Sequence, residues 1–245
     1  MNWLFALLLG FIPGLVWLLF FLREDEHAEP PKMIFAAFIS GGVAAFISLL
    51  LETVSAGTLE KLVIVLPRIF EDNISVFVGF AVIEEVIKFI LIFILIRKSV
   101  HFDEPVDAMI YMMTGALGFA TVENVVITYQ NGLVDATSLI LVRFVGATLL
   151  HALASGIIGH YWARGIVFRM EVKFILAGVL MASVFHTIFN MLVTKFSDYL
   201  VYPLAFLLLI GFFVLYDFEE LKKLAQGQNS MATESSEQKD IHILV

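Results

Sequence analysis

Residues 73–97 read NISVFVGFAVIEEVIKFILIFILIR. About 20 mostly apolar residues suffice to cross a bilayer, so this stretch is long enough, yet Glu84, Glu85 and Lys88 stand near its middle. Each such charge at the centre of a spanning helix costs about 2.5–3.5 kcal/mol on insertion scales. Glu84 and Lys88 are i,i+4, and Glu85 and Lys88 are i,i+3, so one helix face can carry all three. Charges so placed have to face a protein interior or a wet cavity. The stretch therefore predicts a membrane bundle with a polar centre.

The rest of the chain agrees. Of its 245 residues 60% are hydrophobic and 16% charged, against about 45–50% and 25% in soluble domains. Further apolar stretches run over about 2–22, 33–54, 107–130, 138–163, 172–194 and 198–217. With 73–97 they predict an all-α, polytopic bundle of about seven transmembrane helices over residues 1–217. Residues 218–245, rich in Gln, Ser, Glu and Asn, are read as a cytoplasmic tail without regular order. Polar connections separate the spans, among them 23–32, 55–72, the turn His101 to Pro105, and Asn131-Gly132. The first span is expected to remain as an anchor, because Met1-Asn2 brings no basic residue and no small-residue cleavage site follows it. Having no cysteine excludes disulfides and thiolate metal sites, and a net charge of -8 with no basic stripe excludes nucleic acid as a partner.

Basic residues orient the bundle. Lys61, Arg68 and Lys195 fall on one side. Arg23, Lys32, Arg97, Lys98, Arg164, Arg169, Lys173, Lys222, Lys223 and Lys239 fall on the other, which is expected to be cytoplasmic. The N-terminus is then outside and the C-terminus inside.

Four successive spans carry ionisable or strongly polar groups: Glu84, Glu85 and Lys88; Glu123 and Asn124; Arg143 and His151, with Ser155 a turn on; His186 and Asn190. At about 1.5 Å of rise per residue their depths overlap in the outer half of the membrane. One shared polar centre is expected. Arg143 is read as snorkelling or pairing with a carboxylate, His160 as interfacial, and Phe119 as packing. Gly41-Gly42, Gly115 and Gly118 are read as close helix contacts.

This ordered set resembles the PrsW family of intramembrane proteases. Glu84-Glu85-x-x-Lys88 is similar to its EExxK motif. Gly118 to Asn124, with Phe119, Glu123 and Asn124, looks like its FxxxE motif followed by Asn. His151 and then His186-x-x-x-Asn190 look like its later His motifs. Pro13-Gly14 with Trp17, Glu29-Pro30 and Phe102 to Pro105 extend the likeness over residues 3–217. In the wider CAAX prenyl endopeptidase superfamily the motifs are EExxxR, FxxxH and HxxxN. Here Lys88 stands one residue early in place of Arg, and Glu123 in place of His, which speaks against a prenylated substrate.

The resemblance implies peptide-bond hydrolysis inside the membrane, in a prokaryotic inner membrane. The expected substrate is a single-span membrane protein such as an anti-sigma factor, cut first on its extracytoplasmic side. It implies catalytic residues Glu84, Glu85, Lys88, Glu123, His151, His186 and Asn190. Glu84 would be the general base that activates water, Glu85 and Lys88 would orient it, and His186 and Asn190 would hydrogen-bond the oxyanion. Glu123 and His151 would position water or relay protons. No cofactor is expected; zinc on the His and Glu side chains is the alternative, although no HExxH motif is present. A proton-coupled transporter or a non-catalytic scaffold are the competing functions. Mid-span Gly/Pro interruptions would favour the transporter, and only Pro13 and Pro203 lie within spans, away from the polar centre.

Overall fold

The computed structural model describes residues 3–25, 27–65, 74–131, 140–196 and 198–243, the side chains of 56–65, 131 and 227–243 excepted. Seven α-helices follow in order: α1 (Trp3–Phe21), α2 (Pro31–Val65), α3 (Ile74–Ile96), α4 (Asp107–Asn131), α5 (Ala147–Val167), α6 (Glu171–Lys195) and α7 (Val201–Ile243). No strand occurs among the described residues. Six helical stretches are long and apolar enough to cross a membrane. α3 has 23 residues, which rise about 35 Å; it is set apart from the six only by Glu84, Glu85 and Lys88.

α4 is the centre of the bundle. Ala108, Met109, Tyr111, Met112, Ala116, Leu117 and Ala120 have no accessible surface. α1, α2 and α5 pack directly on α4, α3 lies against α2 and α6, and α7 closes on α5. The outer faces of α2, α6 and α7 present Phe35, Leu176, Leu180, Leu208 and Phe212, all exposed. That pattern, apolar outside and small or polar inside, is what lipid as the outer solvent demands.

Small residues set the closest approaches. A Cβ at Gly41 on α2 would overlap the carbonyl oxygen of Gly115, and one at Gly118 would overlap that of Phe38. The two backbones touch, so no larger residue fits at either place. Gly10 and Gly14 let α1 approach Val125 and Thr121 of α4 in the same way.

Three boundaries differ from the sequence reading. α2 runs on to Val65 instead of stopping at 54; Ala56, Leu59, Glu60, Lys61 and Leu62 are the strong helix formers of the extension. The fifth span is broken: residues 140–145 are helical, Gly146 departs from helical geometry (φ -104, ψ -102), and α5 starts at Ala147. Trp17 Nε1 donates to Phe144 O (2.7 Å) just ahead of the break, supplying a donor to a carbonyl there. The last helix does not stop at 217; Phe218 and Leu221 are still fully buried and the helix continues to Ile243. Gly132 and residues 66–73 lie outside the described residues.

The 101–105 turn is tied down at the start of α4. Asp107 Oδ2 accepts the N–H groups of Asp103 (2.9 Å) and Glu104 (2.7 Å). Tyr111 Oη donates to Glu29 Oε2 (2.5 Å) and so ties the α1–α2 connection to α4. Burial pushes the Glu29 carboxyl above its ordinary value, and that hydrogen bond works against the rise.

Candidate active site

The periodicity of α3 turns Glu84, Glu85 and Lys88 inward, and all three are buried, Glu85 and Lys88 completely. A buried ammonium is tolerable only when paired. Lys88 Nζ donates to Glu85 Oε1 (2.6 Å) and to His151 Nδ1 (3.0 Å). Its partner on α3 is thus the i,i+3 acid; the i,i+4 acid, Glu84, is left for something else. The ammonium also lies 4.6 Å from the ring centroid of Phe119, a cation–π contact that gives this packing residue an electrostatic part.

From Lys88 the network spreads to three other helices. His151 on α5 meets Glu123 of α4 through Nε2 (2.8 Å to Oε2). Arg143, on the segment before Gly146, reaches the same Glu123 oxygen through Nη2 (3.0 Å) and Asn124 Oδ1 through Nε (2.6 Å). Asn124 Nδ2 donates to Thr148 Oγ1 (3.0 Å). His186 on α6 meets Glu85 Oε1 through Nδ1 (2.9 Å), and Ser155 Oγ donates to Glu85 Oε2 (3.4 Å).

These contacts assign the imidazole tautomers. Lys88 has protons only to give, so His151 Nδ1 accepts and its Nε2–H donates to Glu123. Glu85 can only accept, so the His186 Nδ1–H donates to it and Nε2 carries the lone pair. That lone pair faces Glu84 Oε2 at 3.9 Å, and His151 Nδ1 faces the same oxygen at 3.8 Å. Glu84 Oε2 is buried and has no hydrogen-bond partner among the described residues. Glu84 Oε2 and the His186 Nε2 lone pair thus face one space, bordered by His151 Nδ1, which already accepts from Lys88, and only a donor or a cation can satisfy them.

The donor chemistry fits a divalent metal. Glu84, His151 and His186 offer one ligand atom each, all within 4.8 Å of one another, and two His with a carboxylate is a set that zinc hydrolases use. Both rings are backed by carboxylates, His186 by Glu85 and His151 by Glu123, as metal-bound imidazoles usually are. One feature opposes it: Lys88 occupies the His151 lone pair that a metal would need.

Six of the seven predicted site residues come together in this one cluster. Asn190 does not join it. It is half-buried one turn beyond His186, and its side chain makes no hydrogen bond among the described residues; its carbonyl accepts from Thr194. Arg143 and Asn124, left out of the predicted set, belong to the network, as do Thr148 and Ser155. Ser155 was legible from its i,i+4 relation to His151. Thr148 stands i,i+3 to the same residue, a signal that spacing offers.

Comparisons with known proteins find relatives over most of the chain. A family model described as PrsW family intramembrane metalloprotease matches residues 29–216. The chain is 29% identical to Protease PrsW of Bacillus subtilis (strain 168) over 215 residues, 84% of this chain and 90% of that protein. It is 26% identical to Protease PrsW of Geobacillus kaustophilus (strain HTA426) over 224 residues, 89% and 93% of the two chains. No solved structure matches.

Proposed function

The chain belongs to the PrsW family of intramembrane proteases, and from that premise we propose that it cuts peptide bonds in the space enclosed by Glu84, His151 and His186. It is a multi-pass membrane protein and a protease; the transporter and scaffold alternatives give way to that membership. The observation that carries the location is the unpartnered, buried Glu84 Oε2 facing two ring nitrogens at 3.8 and 3.9 Å. Those separations are too long for a direct hydrogen bond; a water bridging them would supply the donor that Glu84 Oε2 needs.

A water there donates to Glu84 Oε2 and to the His186 Nε2 lone pair, which leaves its own lone pair for a peptide carbonyl. Glu84 takes the proton as general base, a contribution of about 10²–10⁴-fold in rate. Glu85, held by Lys88, Ser155 and His186, fixes the His186 ring so that Nε2 points at the water. Glu123, held by Arg143, does the same for His151. In this tautomer His186 accepts, so the oxyanion-stabilising part expected of it requires its protonated form. The buried Lys88 ammonium is the standing positive charge nearest the space. Asn190 stays a proposal for the oxyanion, one turn along α6.

A second reading has a divalent metal held by Glu84, His151 and His186, and the carboxylate-backed rings favour it. When bound, such an ion lowers the pKa of its water and polarises a carbonyl. Lys88 would first have to release His151.

The substrate we propose is a single-span membrane protein, of which an anti-sigma factor is an example, cut on its extracytoplasmic side. The excess of Lys and Arg in the connections assigned to the cytoplasm supports this orientation. Kinship with CAAX prenyl endopeptidases belongs to the same reading. The test is cleavage of tagged single-span proteins by the reconstituted chain and by Glu84→Gln, with and without chelator, alongside metal analysis of the purified protein. Cleavage lost in Glu84→Gln, spared by chelator and carried out by metal-free protein supports the glutamate-activated water. Stoichiometric metal and loss on chelation replace it with the metal centre. Equal cleavage by parent and Glu84→Gln overturns both.

A further inference from the structure

The far end of α5 holds a second group of titratable side chains that the proteolytic reading does not use. His160 lies nine residues beyond His151 on the same helix, about 14 Å along the axis. Its side chain is 4% exposed. α7 brings Asp217 and Glu220, three residues apart, onto the face that packs against it. His160 Nε2 lies 3.7 Å from Asp217 Oδ1 and 3.9 Å from Glu220 Oε2. The three offer one ligand atom each within 4.8 Å of one another.

None of these contacts is a hydrogen bond. The other ring nitrogen, Nδ1, is buried without a hydrogen-bond partner among the described residues, and so is Arg164 Nε. Arg164 Nη1 approaches Glu220 Oε1 at 3.5 Å and no nearer. The Asp217 carboxylate receives no hydrogen bond among the described residues. An imidazolium would place its Nε2–H against one carboxylate at about 2.8 Å. Instead Nε2 stands almost equally far from both acids, with its edge aimed between them. With a neutral ring the two acids and Arg164 carry one net negative charge, which a dication reverses to one positive.

We propose that His160, Asp217 and Glu220 form a second divalent-cation site, of the nitrogen-and-carboxylate class that accepts zinc, manganese or cobalt, pinning α7 to α5. At ligand distances of about 2.0–2.2 Å tetrahedral donors stand about 3.4 Å apart, so the two His160–carboxylate separations of 3.7 and 3.9 Å close by a few tenths of an ångström, a shift side-chain rotation supplies. His160 Nδ1 lacks the carboxylate backing that both rings of the polar centre have, so this is the weaker of the two donor sets.

The test uses the full-length, tag-free chain in lipid nanodiscs, with Glu84→Gln and His186→Gln to remove two donors of the first set, titrated with Co²⁺. The expected result is a visible ligand-field band that saturates near about one equivalent and a raised unfolding temperature. Asp217→Asn and His160→Asn should each weaken the binding about tenfold or more; Glu219→Gln, on the exposed neighbour, should leave it unchanged. Unfolding temperatures measured without metal separate lost ligands from lost fold, and Glu220→Gln serves if a more buried substitution fails to fold. Absence of the band, or a band indifferent to Asp217→Asn, His160→Asn and Glu220→Gln alike, overturns the proposal.

Discussion

The polar centre and the cluster at the far end of α5 are built from the same kinds of side chain, imidazole, carboxylate and one or two basic groups. In the centre, Lys88, Glu85, His151, Glu123, Arg143 and His186 are joined by contacts of 2.6–3.0 Å. In the far cluster His160, Arg164, Asp217 and Glu220 approach no closer than 3.5 Å. The centre is drawn from four helices, with Glu85, Lys88, His151 and His186 buried and Glu123 partly exposed; the far cluster comes from two, with His160 buried and both acids partly exposed. Where water is excluded, each polar group must find a protein partner or cost several kcal/mol. Among the described residues of the centre, Glu84 Oε2 is left buried without a hydrogen bond, and that marks it as the candidate for function. In the far cluster solvent reaches the two acids and relaxes that demand on them, while His160 Nδ1 and Arg164 Nε stay buried and without a hydrogen-bond partner among the described residues.

The largest effect that would break this comparison is expected at Lys88. Lys88→Met strands Glu85 as an unpaired buried charge, so cleavage should disappear and stability fall by about 3–5 kcal/mol, read from the denaturation midpoint in detergent. Adding Glu85→Gln should recover much of that stability and none of the cleavage. Recovery of both would mean that the pair only holds the fold.

Next is Arg143. Lysine cannot span Glu123 and Asn124 with a planar fork, so Arg143→Lys should slow cleavage about tenfold, or about 1.4 kcal/mol, with the midpoint hardly moved. A large loss of stability instead would make Arg143 a structural strut.

Ser155→Ala removes only a 3.4 Å contact to Glu85 and should cost about 1 kcal/mol or less, with KM and kcat within a few-fold of the parent. The smallest effect belongs to the far cluster. After chelation, Arg164→Gln should change stability by about 0.5 kcal/mol or less and leave cleavage untouched. A change as large as that at Arg143 would erase the contrast between the two regions.

Much of this was legible in the chain itself. Length and apolarity mark the helices, and Glu84, Glu85, Lys88, Glu123, His151 and His186 could be grouped as one polar centre because charge inside a span is too expensive to be incidental. Spacing on one helix could not decide which acid Lys88 takes, because i,i+3 and i,i+4 partners lie equally near on a helix surface; His151 and His186, from other helices, decide it. Arg143 could be read as snorkelling or as pairing with a carboxylate, and the structure pairs it with Glu123; spacing across the break at Gly146 could not choose between the two. Asp217 and Glu220 were hidden by the expected end of the last span at 217, since a boundary drawn from hydropathy stops where charges begin and packing does not.

The backbone contact of α1 and α2 with α4 has a mechanical consequence. Helices that meet without an intervening layer of side chains have nothing between them to compress or reorient, so the three act as one stiff plate. A bilayer that thickens or thins by a few ångström tilts such a plate as a unit. The compliance lies instead where helices meet through long side chains, as where Phe185 of α6 crosses Phe206 of α7 with ring centroids 6.0 Å apart. Phe185 immediately precedes His186 in the chain, so lateral load on the membrane is delivered next to the ring that faces Glu84.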